Sequence, residues 1–102
     1  MLTDQLSTAL TNLTQLITRT KDPVARKQLM DQQDQLAGQL QAGIDDLVAQ
    51  ALPEYAAATA ALEAANQMAV AAKADLDKLA ATITAMAKAV DKGVALAAKV
   101  GV

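Results

Sequence analysis

Six carboxylates fall in close pairs along the chain: Asp31 with Asp34, Asp45 with Asp46, and Asp75 with Asp77. Paired carboxylates can bind a divalent cation or divide general acid and base work when they converge in a desolvated pocket, and in helical bundles histidine usually joins them. The chain has no His and no Cys. The commonest neutral-pH base, the commonest transition-metal ligand and the thiolate nucleophile are therefore absent. Gln flanks Asp31 and Asp34 and Lys78 follows Asp77, and the pairs read as parts of a solvated polar face. The run DQQDQLAGQLQAGIDD does not follow the twelve-residue calcium-loop pattern with its closing Glu. The expectation is a chain with no cofactor, no metal and no enzymatic activity.

Composition narrows the remaining classes. The 102 residues carry a net charge of −2 and one aromatic side chain, Tyr55. A basic stripe and a base-stacking platform are both missing, so nucleic acid is not the expected partner. No cationic segment leads into an apolar run at the start, and LAATITAMA is about half the length of a spanning helix, so a soluble chain without a cleavable signal peptide is expected, its compartment undetermined. Hydrophobic residues make up 53% of the chain, but nearly half of these are Ala. Such a chain buries little area per residue and must gain by close backbone approach or by association.

The elements that would position these residues are helical throughout. Leu2, Leu6, Leu10, Leu13, Leu16 and Ile17 recur at steps of three and four, which predicts a helix over 3–20. Asp22-Pro23 is an N-cap acceptor followed by the imino acid favoured in the first turn, opening a second helix over 23–51. After Pro53 a seven-residue register runs through Tyr55, Ala58, Leu62, Ala65, Ala69, Ala72, Leu76, Leu79, Ile83, Met86 and Val90 without meeting a charge. That predicts one long helix from 54 to 92, or to 100, with charges on the outward positions of a coiled-coil seam.

A single all-α domain over 1–102 follows: an antiparallel three-helix bundle with coiled-coil-like packing, or alternatively a long two-helix hairpin kinked at Pro23. Reversal at Leu52-Pro53 would lay Leu40 near Ala65, Leu36 near Ala69 and Leu29 near Leu76, large against small. Gly93 reads as a helix C-cap before an apolar tail. The tail residues Val94, Leu96 and Val100, with Tyr55 beside the proline turn, form the candidate interaction surface. Completion of the core against Leu2, Leu6 and Leu10 is the competing role for the tail. The function expected is structural or protein-interaction work through self-association or a protein partner; the alternative is an amphipathic protein acting at a membrane surface.

Overall fold

The computed structural model describes residues 2–42, 49 and 51–101, and these are all-helical. Four α-helices are present among them: α1 (Leu2–Arg19), α2 (Pro23–Ala42), α3 (Pro53–Ala74) and α4 (Leu79–Val100). The expected stretch 43–48, with Gly43, Asp45 and Asp46, lies outside the described residues.

Helix α1 buries Leu2, Leu6, Ala9, Leu13 and Leu16 on one side. Its opposite side is Ser and Thr, whose hydroxyls are occupied locally: Thr8, Thr14 and Thr18 each donate to the carbonyl four residues back. The chain leaves the helix at Thr20, whose amide and hydroxyl both reach the Leu16 carbonyl, at 2.9 and 2.7 Å. Asp22 then caps α2 as its sequence implied, its carboxylate accepting from the Val24 amide at 3.2 Å. The segment is a true turn, because Gln33 of α2 donates back to Thr14 of α1. Pro23 starts a new helix and does not kink an old one.

The long third helix is the main departure from expectation. It is two helices, divided at Asp75, whose extended backbone (φ −142°, ψ 98°) ends α3. The Asp75 carboxylate then accepts from the Asp77 amide, opening a single 3₁₀ turn, Leu76–Lys78, that leads into α4. An aspartate that can bond its own downstream backbone competes with helix continuation, and here that competition wins. The three-helix count therefore gives way to two helical hairpins.

Pairing is read from the cross-helix bonds. The Leu2 amide donates to the Tyr55 hydroxyl and Arg19 donates to the Lys73 carbonyl, so α1 and α3 run parallel. Gln32 donates to the Ile83 carbonyl and Gln39 to the Val90 carbonyl, so α2 and α4 also run parallel. Each helix packs against two others in the order α1, α2, α4, α3, which leaves α2 and α3 across the diagonal. The bundle measures 40 × 19 × 17 Å. The expected meeting of Leu40 with Ala65, Leu36 with Ala69 and Leu29 with Leu76 across one seam is replaced by convergence on a shared core: Leu13, Leu16, Leu29, Leu36, Leu62, Met86 and Leu96 are its largest fully buried apolar side chains.

Gly93 corrects a second expectation. It is buried inside α4, and the helix instead ends at Gly101, in the left-handed region at φ 77°. A Cβ at Gly93 would run into the side-chain amide of Gln39. Gly93→Ala should therefore gain about 1 kcal/mol of helix propensity and lose about 1 kcal/mol as Gln39 is displaced from the Val90 carbonyl. Urea unfolding is expected to show almost no change for Gly93→Ala in the native background. The full stabilisation of about 1 kcal/mol should appear when Gln39→Ala has already removed the bond.

Candidate functional site

Polar side chains cluster within each of the two parallel helix pairs. Asn12 and Asn66 are both buried, and the Asn12 amide donates to Asn66 Oδ1 at 3.1 Å. Asn66 in turn donates to the carbonyl and side-chain oxygens of Gln5, at 3.2 and 3.0 Å. Lys73, half-buried, brings its ammonium to Asn12 Oδ1 at 2.8 Å and to Gln15 Oε1. The result is a ladder of amides along the α1–α3 seam, closed at its upper end by a cation. Its donors and acceptors face one another, so the ladder serves as a register lock.

Across the bundle, Gln32 and Gln39 stand seven residues apart on α2 and hook carbonyls seven residues apart on α4, at 2.9 and 3.1 Å. The acceptor side of Gln32 is buried and has no hydrogen-bond partner among the described residues. Thr82, fully buried, has its hydroxyl within bonding distance of the Met68 and Lys78 carbonyls, at 3.2 and 3.0 Å. Both are polar fasteners within the core.

The carboxylate pairs do not converge. Asp31 is exposed and pairs with Lys27 at 3.1 Å along α2, Asp34 is exposed beside it, and Asp75 and Asp77 form the turn before α4. No group of three or more His, Cys, Asp or Glu side chains placed to hold a metal occurs among the described residues.

The four residues expected to form an interaction surface separate. Tyr55 is half-buried, and its hydroxyl accepts the otherwise orphaned amide of Leu2 in the first turn of α1, at 3.2 Å. Leu96 is fully buried in the same core cluster as Leu2 and Leu6, so it does not belong to a surface. Val100 is half-buried against that core. Val94 alone is well exposed, at 59%. It lines a shallow groove between α2 and α4 with Gln35, Gly38, Ala42, Val90 and Ala97. A second groove follows α3 and α4, where Ala57, Ala60, Ala61 and Ala64 face Ala85 with Lys88 and Lys92 at its edge.

Sequence reasoning missed the amide ladder. Asn12 and Asn66 sit beside the apolar stripes, and only the fold says that they meet. Removing one partner strands the other in the interior. Asn66→Ala should cost about 2 kcal/mol by urea denaturation, whereas the Asn12→Leu/Asn66→Leu pair should cost clearly less than the sum of the two single leucine variants.

No protein-family model matches the chain, and no curated protein or solved structure matches it.

Proposed function

We propose that the chain is a non-enzymatic helical module that works through protein–protein contact, beginning with self-association. The observation that carries this reading is the α2–α4 side of the bundle. Among the described residues it is the thinnest of the four helix seams, and it leaves Val24 and Val94 exposed, at 68% and 59%. Apolar side chains held out on rigid helices recognise by packing, which needs no convergent polar pocket. The coiled-coil-like packing expected from the heptads is assigned to the inside of the bundle, where Ala58, Leu62, Ala65, Ala69 and Ala72 lie buried. Light scattering coupled to size exclusion is expected to show a concentration-dependent species of about twice the 10.5 kDa chain mass. A monomer at every concentration up to the millimolar range would contradict the proposal.

A second reading rests on a different observation. Lys78, Lys88, Lys92 and Lys99 all lie exposed on α4 or the turn before it, and Lys88 and Lys92 edge the alanine groove along α3. A cationic row beside small apolar residues is the sequence alternative of a protein acting at an anionic lipid surface. No helix of the described residues is long and apolar enough to cross a membrane, so this would be a surface association. Co-sedimentation with phosphatidylserine vesicles at low salt, lost on Lys88→Glu/Lys92→Glu, would support it; no pelleting at low salt would remove it.

A further inference from the structure

Two glycines lie inside helices of the described residues, and they differ. Gly93 is explained within the chain, because Gln39 occupies the space that a Cβ would need. Gly38 is exposed in α2, and nothing among the described residues comes within 4 Å of the position of its missing Cβ. In a chain so rich in alanine, an exposed mid-helix glycine forgoes about 1 kcal/mol of helix propensity for no internal return. What a glycine gives instead is close approach by something outside the chain.

The neighbouring residue says what that is. Val94, 59% exposed, stands on α4 level with the turn from Gly38 to Ala42, since both line one groove. The same face therefore carries a knob and, beside it, a hole. From this juxtaposition we infer that the α2–α4 face is an isologous dimer interface between two copies of this chain, related by a two-fold axis parallel to the bundle. That axis sets α2 of each copy opposite α4 of the other at the same height. Each Val94 then enters the Gly38–Ala42 hole of the partner copy, and the contact is made twice.

Size is consistent with this occupant. One side of the bundle, 40 Å long and 17 to 19 Å wide, offers about 700 Å² per copy, above the roughly 500 Å² that a specific interface needs. The groove around Val94 and Gly38 is lined without a charged side chain, so little is lost by drying it. The inference rests on the self-association reading and names its face.

The test uses the whole chain in sedimentation velocity. Val94→Asp and Gly38→Leu should each weaken the dimer at least tenfold while the monomer keeps its fold: both residues are exposed, and Gly38→Leu should if anything raise helicity and melting slightly. Val70→Asp, at an exposed position on α3, should leave the dimer intact. A nitroxide at Ala98→Cys should report a short distance between copies. Dimers that survive both Val94→Asp and Gly38→Leu would overturn the inference while leaving self-association standing, as would a long Ala98 distance or growth beyond two copies. A Gly38→Leu chain that loses helicity without change in mass would show that the hole is filled within the chain, which also overturns it. A native chain that stays monomeric throughout would instead bring down self-association itself.

Discussion

The hydrogen bond between Asn12 and Asn66 is the constraint on which the arrangement of this bundle turns. Helices faced with alanine pack closely but gain little area, and one alanine register is much like the next. A sequence of this kind has several pairings of similar energy unless something distinguishes them. Two amides buried opposite one another do so, because any slip of α1 along α3 leaves both without partners at a cost of about 1 to 3 kcal/mol each. Lys73 and Gln5 extend the lock in both directions along the seam.

The parallel pairing follows from the same economy. Two hairpins, α1 with α2 and α3 with α4, would otherwise be free to stack in either sense. The amide ladder fixes α1 against α3, and the Gln32 and Gln39 hooks fix α2 against α4. Both sets of bonds join helices that are not consecutive in the chain, where turn geometry supplies no register. The large side chains, Leu13, Leu29, Leu36, Leu62, Met86 and Leu96, then fill the interior that these fasteners define.

Helix faces were largely legible in the sequence. Ala58, Leu62, Ala65, Ala69 and Ala72 are buried as their spacing implies, and Asp22-Pro23 begins a helix as its capping chemistry requires. The break at Asp75 was not legible from periodicity, because the heptad passes through it in phase: Met86 and Val90 are still buried beyond the turn while Leu76 inside it is 45% exposed. Its only local sign is an aspartate with a second acid two residues on, a capping pattern inside an apolar run. Of the candidate surface, Val94 was identifiable as an exposed tail residue, whereas Leu96 faces the core because α4 continues through Gly93. Periodicity gives the angle of a side chain around its helix. Which helix lies at that angle is a tertiary property, and it was decided by polar residues whose partners lie more than fifty positions away.

A pair of nitroxides at Thr8→Cys and Glu63→Cys measures that decision directly, since the chain has no other cysteine and the two sites lie exposed at matching heights on α1 and α3. One short, narrow distance distribution is expected in the otherwise native chain, and a broadened or two-component distribution once Asn12→Leu/Asn66→Leu removes the amide pair. An equally short and narrow distribution in the leucine variant would mean that packing alone sets the pairing, and would contradict the role of the buried amides as the register lock.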